Sequence, residues 1–220
     1  MSQIVETFFD QEFKKISADV VNMGGLVEQA INHAMLALVE QKGKLAESVI
    51  SSDKEINHLR FTVEEACVEL LATQQPAAGD LRAVIASMHI AVELERMGDH
   101  AAGIAKTVVL MKEEPLLKTL KKIPRMGELS RSMLVDCLQA YTDRDAEKAR
   151  QVVALDSEMD QLYHSVFERL VQLMAEKPDI VFRATYLMWC AHNLERIADR
   201  VINIAERIVF MVTGDLGEFE

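Results

Sequence analysis

The chain has 220 residues, a length that fits one domain or two of about one hundred residues, each able to bury a core. Half of the residues are hydrophobic, and only 9 are glycine and 4 proline, which is typical of a compact helical protein rather than a β-sandwich or a disordered chain. The formal charge is −11, and the 24 lysines and arginines are spread thinly. This balance excludes the basic stripe that nucleic-acid binding requires, so DNA and RNA are not expected partners.

Neither a signal peptide nor a membrane span is visible. The N-terminal stretch MSQIVETFFDQEFKK has no basic leader followed by an apolar run, and the best apolar run, residues 83–92, falls short of the ~18 residues that span a bilayer. Three cysteines, Cys67, Cys137 and Cys190, lie in helical patterns outside any C-x-x-C motif. We therefore expect a soluble cytoplasmic protein with buried, reduced thiols.

Apolar residues recur at helical spacing in three long segments of the first half of the chain. The second segment ends at Gln75-Pro76, because proline disfavours helical geometry in the preceding residue. The third begins near Asp80, a suitable N-cap. The predicted helices cover residues 8–40, 44–73 and 80–111.

Gly24 and Gly25 lie in the middle of the first predicted helix. Each costs about 1 kcal/mol relative to alanine at such a position. We expect a neighbouring helix to approach closely there, where no side chain fits.

The pattern of the first half begins again after residue 123. Shifts of 103 residues, and of 100 residues near the C-terminus, align the two halves, which indicates an internal duplication. The aligned pairs include Met23 with Met126, Gly24 with Gly127, Asp53 with Asp156, Leu59 with Leu162, Glu95 with Glu195 and Asp99 with Asp199.

The duplication predicts three further helices, over residues 124–142, 145–175 and 179–212. Short connections force antiparallel neighbours, so each half is expected to form a three-helix bundle. The predicted fold is all-α, with two tandem pseudo-symmetric bundles, residues 1–114 and 124–220, joined by a linker at 115–123.

Pairs of acidic residues are repeated in the two halves. Glu95 and Asp99 are four residues apart on a predicted helix, and Glu195 and Asp199 repeat the spacing, so each pair projects from one helix face. Carboxylates one turn apart can share a hard cation. A single such pair is common on solvated helices, and the duplication is what favours a site.

A second helix in each half adds two more polar side chains. If neighbouring helices lie side by side, Asp53 and Asn57 face the first acidic pair, and Asp156 and Asp160 face the second. Such clusters are costly without a cation, because like charges repel and raise each other's pKa. Mg²⁺, Mn²⁺, Ca²⁺, Zn²⁺ or iron would relieve the repulsion.

The helical wheel places Glu95 and Asp99 on the outside of the bundle, about 120 to 160° from the centre of their apolar stripe at roughly 100° per residue. Di-iron bundles differ, because their Glu-x-x-His ligands point inward. One such motif exists, Glu55 to His58, but its counterpart ends in Gln161. A ferritin-like oxidase is therefore disfavoured.

His89, Glu93 and His100 share another face of the third helix and raise the question of a zinc site. Their counterparts in the second half are Trp189, Asn193 and Arg200, so the duplication does not support one. We interpret the histidines as ordinary surface or edge residues.

Arg96 and Arg196 are repeated beside the acidic pairs. Two interpretations remain open for them: an ion pair with a neighbouring helix, or neutralisation of the cluster together with contact to a partner. Phosphate-binding loops, nucleophile elbows and Ser-His-Asp arrangements are absent from the sequence, so no catalytic apparatus is predicted.

Several motifs, in order and over nearly the whole chain, resemble the PhoU family of phosphate-signalling regulators. They are MGGLVEQAI, VISSDKEIN, QQPAAGDLR, ELERMGDHAAGIAK and NLERIADRVINIAERIVFMVTG. The resemblance implies two pseudo-symmetric three-helix bundles with surface metal sites built from E/D-x-x-x-D pairs. Asn57 departs from the acidic motif and leaves the first site one charge poorer. The implied metal ligands are Asp53, Asn57, Glu95, Asp99, Asp156, Asp160, Glu195 and Asp199.

By the same resemblance, the protein is expected to be a non-enzymatic negative regulator of the phosphate starvation response. It would act as a cytoplasmic adaptor between the ATPase side of a phosphate ABC transporter and a sensor histidine kinase, as a homodimer peripherally associated with membrane complexes. Two alternatives stay open. The acidic clusters could serve a metal-dependent hydrolase or oxidase, or their cations could be purely structural.

Overall fold

Long helices make up the chain, as the apolar periodicity predicts. The computed structural model describes residues 7–111, 117 and 121–215, and these contain helices and no strands. The helices are Phe8–Glu40 (α1), Gly43–Gln74 (α2), Ala78–Met111 (α3), Lys122–Asp143 (α4), Ala146–Val153 (α5), Asp156–Glu176 (α6) and Val181–Thr213 (α7), with a 3₁₀ turn at Pro178–Ile180 before α7.

Two predicted boundaries are wrong. The fifth predicted helix is interrupted by a turn at residues 154–155. Leu155 N donates there to Val152 O at 3.1 Å, which is the i→i−3 hydrogen bond of a 3₁₀ turn and not the i→i−4 bond of an α-helix. Helix α3 begins at Ala78, which places Asp80 in the first turn and not at the cap. Of the predicted linker at 115–123, only residues 117 and 121–123 are described. Residues 122 and 123 belong to α4.

Each half is a three-helix bundle, which confirms the predicted architecture. Helices α1, α2 and α3 pack against one another, and α4 and α7 pack together with the α5–α6 arm. Between the halves, α3 packs extensively along α7, and α1 packs against α4. One hydrophobic core therefore runs through both bundles, and it includes all three cysteines, which are buried and form no disulfide.

The two halves are related by a pseudo-twofold axis, which the contacts of α1 with α4 show directly. A Cβ on Gly24 would lie 2.4 Å from Leu138 Cδ1, and a Cβ on Gly127 would lie 2.7 Å from Met35 Cγ. Under the 103-residue repeat, Gly127 is the counterpart of Gly24, and Leu138 is the counterpart of Met35. Such reciprocity defines a twofold interface.

Helices α3 and α7 repeat this reciprocity with polar side chains. His100 Nδ1 lies 3.0 Å from Asn193 Oδ1, and the counterpart contact joins Arg200 Nη1 to Glu93 Oε2 at 3.3 Å. Since residue 100 lies opposite 193 and residue 200 opposite 93, the helices are antiparallel and the axis is perpendicular to their common plane. Equivalent side chains on α3 and α7 therefore face the same side of the molecule.

These contacts correct the interpretation of the α3 histidines. His89 is exposed, as expected, but His100 is half-buried between the two halves and bonded to Asn193. Glu93, which is 12 % exposed, accepts from Arg200 and from Asn203 Nδ2 at 3.1 Å. This face of α3 is therefore a seam between the bundles.

Candidate metal-binding clusters

The first cluster consists of Asp53 and Asn57 on α2 with Glu95 and Asp99 on α3. The two helices come close at Gly98, where a Cβ would lie 3.2 Å from Asp53 Oδ1. The glycine thus allows the α2 carboxylate to approach the acidic pair of α3. The predicted side-by-side arrangement of the two helices is confirmed, and it places Asp53 of α2 beside the acidic pair of α3.

Burial and like charge act together on the carboxylates of the first cluster. Burial raises the pKa of Asp53 and of Glu95, and the neighbouring carboxylate of Asp99 raises both further. Lys106 lowers the pKa of Asp53, and Arg60 lowers that of Glu95, but neither cation cancels the increase. The cluster is therefore short of positive charge.

Oxygen atoms of the first cluster lack partners. Asn57 Nδ2 donates to Asp53 Oδ2 at 3.3 Å, which leaves Asp53 Oδ1 and Asn57 Oδ1 buried and without a hydrogen bond. Buried oxygens of this kind are usually satisfied, and each unsatisfied one costs about 1–3 kcal/mol. A hard cation would satisfy both, so the donor set fits an ion that prefers oxygen ligands.

The second cluster consists of Asp156 and Asp160 on α6 with Glu195 and Asp199 on α7. Burial raises the pKa of Asp156, and the carboxylates of Asp160 and Asp199 raise it further. The pKa of Glu195 is also raised, by burial first and then by Asp199. Because all four ligand candidates are carboxylates, this cluster has one more acidic group than the first.

Exposure differs within the clusters, because a second helix covers part of each pair. Asp99 and Asp160 are exposed, as the helical wheel predicts for a surface site. Glu195 is only 14 % exposed, since α6 packs beside α7. The clusters therefore lie in the grooves between helices, at the edge of the molecule and outside its core.

The repeated arginines take different partners in the two halves. Arg196 Nη1 lies 2.9 Å from Asp199 Oδ2, and its Nε lies 2.9 Å from Glu195 Oε2. Arg96 Nη1 instead lies 2.9 Å from Glu93 Oε1. Arg196 therefore forms ion pairs with carboxylates of its own cluster, within its own helix. Arg96 also pairs within its own helix, but with Glu93, and acts on its cluster only through its charge, which lowers the pKa of Glu95. The alternative of an ion pair with a neighbouring helix is wrong for both.

Two residues near the clusters were missed by sequence reasoning. His192 Nδ1 lies 3.6 Å from Glu195 Oε2 and adds a nitrogen donor beside the second cluster. Its i,i+3 spacing from Glu195 was the available signal. Arg60, on α2, pairs with Glu64, and its charge lowers the pKa of Glu95 on α3; only the packing of α2 against α3 reveals that influence.

The cluster side chains are not gathered around one point. Among residues 7–111, 117 and 121–215, no group of three or more histidines, cysteines, aspartates or glutamates is placed to hold a metal ion. In the second cluster, Arg196 occupies the space between Glu195 and Asp199. A cation would therefore have to reorient these side chains, and in the second cluster it would have to displace a guanidinium.

A family model described as the PhoU domain matches the chain twice, over residues 20–108 and 123–208, in agreement with the duplication. The chain belongs to the PhoU family. A phosphate-specific transport system accessory protein PhoU homolog from Streptococcus pneumoniae is 38% identical over 208 residues, 94% of this chain and 96% of its own length. A homolog of the same name from Caulobacter vibrioides is 36% identical over 94% of this chain and 90% of its own.

Solved structures agree with the PhoU assignment. The phosphate transport system regulatory protein PhoU from S. pneumoniae superposes with a TM-score of 0.90 at 36% identity, covering 96% of this chain and 100% of its own. PhoU from Pseudomonas aeruginosa superposes with a TM-score of 0.91 at 33% identity, covering 94% of this chain and 100% of its own. The all-α fold of paired three-helix bundles is therefore that of the family. None of the described helices has the length and apolar character of a bilayer-spanning segment.

Proposed function

We propose that this protein is a negative regulator of the phosphate starvation response. The observation that carries the proposal is the match of both halves to the PhoU domain, together with relatives named as accessory proteins of a phosphate-specific transport system. In this role the protein is a cytoplasmic, homodimeric adaptor between the ATPase subunit of a phosphate ABC transporter and a sensor histidine kinase, and it associates peripherally with their membrane complexes.

Cations at the two acidic clusters form the second part of the proposal. In the first cluster, a cation is supported by the buried oxygens of Asp53 and Asn57 that have no hydrogen-bond partner. In the second cluster, it is supported by the repulsion among four carboxylates. The first cluster would hold it with Asp53, Asn57, Glu95 and Asp99. When bound, a hard ion such as Mg²⁺ or Mn²⁺, or iron, supplies positive charge that offsets the repulsion and fixes each pair of helices.

Gene deletion tests the regulatory role. In phosphate-rich medium, a reporter driven by a phosphate-starvation promoter is expected to become active after deletion, and a plasmid copy of the wild-type gene is expected to silence it again. A reporter that stays silent after deletion would contradict the role. Co-purification with the transporter ATPase and with the kinase, each from the same organism, tests the adaptor role separately.

Chelation distinguishes a functional cation from a structural one. If the ion serves partner binding, chelator treatment should abolish co-purification with the transporter ATPase or the kinase. If it is structural, chelator should lower the melting temperature and leave co-purification intact. The Asp199→Ala variant should reproduce the chelator result at the second cluster. Turnover assays with the same variant test the remaining alternative of a metal-dependent enzyme.

A further inference from the structure

Arg196 spans the acidic pair of the second cluster from within the same helix. Its Nε and Nη1 atoms each lie 2.9 Å from a carboxylate oxygen, of Glu195 and Asp199 respectively, and Nη2 donates to Glu195 Oε1 at 3.3 Å. One guanidinium thus covers oxygens of both carboxylates. A divalent cation shared by the pair would use the same oxygens, so the two cannot be accommodated together.

The first cluster has no such arginine, and a single difference between the halves explains why. Arg96, the counterpart of Arg196, turns to Glu93 three residues earlier on α3. The counterpart of Glu93 is Asn193, which is neutral and is already bonded to His100 and to Trp189 O. Arg196 therefore has no carboxylate three residues earlier on its helix, and its guanidinium pairs with Glu195 and Asp199 of its own cluster.

The contact between Arg196 and Glu195 is an imperfect one. Glu195 Oε2 and Arg196 Nε are 2.9 Å apart, yet both atoms are buried and neither has a hydrogen-bond partner, so the N–H does not point at the oxygen. An aligned, bidentate pair would be considerably stronger. Because the Arg196 side chain is 42 % exposed, the guanidinium can leave for water without an opening of the core.

We infer that Arg196 is a built-in counter-ion of the second cluster, which a divalent cation displaces. The inference rests on the proposed cation site. In the absence of a cation, Arg196 offsets the repulsion among the four carboxylates. Cation binding releases the guanidinium onto the face that α3 and α7 share, whereas Arg96 keeps its position on Glu93. The two clusters therefore differ in cation affinity for a reason other than their number of carboxylates.

Mn²⁺ titration by calorimetry tests the inference with two matched variants. Arg196→Gln is expected to bind Mn²⁺ at the second cluster about tenfold more tightly than the wild type, a difference of about 1.4 kcal/mol. Arg96→Gln removes the same charge at the equivalent position and is expected to leave the affinity of the second cluster unchanged and to raise that of the first by much less than tenfold, because Arg96 is paired with Glu93 and not with a cluster carboxylate. Repeating the titrations in an Asp53→Asn, Asp99→Asn background removes the contribution of the first cluster.

A second measurement needs no variant. Phenylglyoxal modifies accessible arginines, and peptide mass spectrometry reports each site. In the wild-type protein, Mn²⁺ is expected to accelerate modification of Arg196 several-fold and to leave Arg96 unchanged. Equal Mn²⁺ affinity in wild type and Arg196→Gln, or modification of Arg196 that Mn²⁺ does not change, overturns the inference and leaves the cation site standing. Absence of Mn²⁺ binding in all variants removes the site and the inference together.

Discussion

Gly24 of α1 meets Leu138 of α4 with no space for a side chain between the helices: a Cβ on the glycine would lie 2.4 Å from Leu138 Cδ1 and 2.7 Å from Cδ2. The counterpart contact also leaves no room, because a Cβ on Gly127 would lie 2.7 Å from Met35 Cγ. The two halves therefore fit together through small residues placed opposite large ones on both sides of the axis. This complementarity offsets the cost of glycine within a helix.

Neighbouring glycines of α1 should respond oppositely to the same substitution. Gly24→Ala forces Leu138 out of its position, and we expect a loss of about 1–3 kcal/mol in the free energy of unfolding. Gly25 is exposed with open space around its Cα, so Gly25→Ala should gain about 0.5–1 kcal/mol from helix propensity. Urea unfolding measures both.

Leu138→Ala provides the control for this pair. Combined with Gly24→Ala, it should give a double variant more stable than the sum of the two single changes predicts, because the added methyl group then has room. Additive losses would show that Gly24 is not selected by its contact with Leu138.

Substitutions in the α3–α7 seam test whether Glu93 holds the halves together. Glu93→Ala leaves Arg200 and Asn203 without their shared acceptor, and we expect a loss of about 1–3 kcal/mol in unfolding free energy. Asn193→Ala, at the counterpart position, removes the bond to His100 and should cost only about 1 kcal/mol. Equal losses in the two variants would contradict the view that the charged side of the seam is the stronger one.

Stability should depend on pH through the acidic clusters. The pKa of Asp156 is raised in the folded protein, so between its ordinary value and its raised value the folded state binds more protons than the unfolded state. The contribution of this residue is therefore fully present below the ordinary pKa and is lost as pH rises through the raised one.

Asp156→Asn tests that sign in metal-free buffer. At pH 7 the variant should unfold at a higher temperature than the wild type, and the advantage should shrink as pH falls towards the ordinary pKa of aspartate, about 4. Glu69→Gln removes one negative charge from an exposed position of α2 and serves as the control. An Asp156→Asn advantage that grows on acidification would contradict the prediction.

The cysteines should be unreactive until the protein unfolds. Burial raises the pKa of Cys67 and of Cys190 to about 12, and it also raises the pKa of Cys137. Because the thiolate is the nucleophile, Ellman's reagent at pH 8 should not react with the native protein. All three thiols should react once guanidinium unfolds it. Rapid reaction of one thiol in the native state would show that its helix opens locally.

Much of this architecture was readable from the sequence, because a long amphipathic helix has a strong period and a duplication reveals its own register. Helix α1 has the predicted bounds, and α2 differs by one residue at each end. The interruption before Asp156 was not readable. Residues 145–175 keep a continuous helical pattern through the turn at 154–155, and no glycine or proline marks it.

Sequence spacing also predicted which carboxylates belong to each cluster, since i,i+4 pairs and a repeat are properties of the chain alone. What those residues do to one another was decided by tertiary packing. The orphaned oxygens of Asp53 and Asn57 arise only because α2 comes close to α3 at Gly98. The sequence does show that Glu93 is replaced by Asn193 in the second half, which removes the carboxylate with which Arg96 pairs. Only the tertiary structure shows that Asn193 is instead bonded to His100 across the two halves.

The sequence by itself determined the helices, the duplication, the family and the eight candidate ligands, because each is encoded in local periodicity and repeated motifs. Tertiary structure alone decided the antiparallel packing of α3 on α7, the shared face of the two clusters, and the difference in charge compensation between them. The physical reason is that burial and electrostatic interaction depend on distances between helices far apart in the chain, and local spacing does not specify those distances.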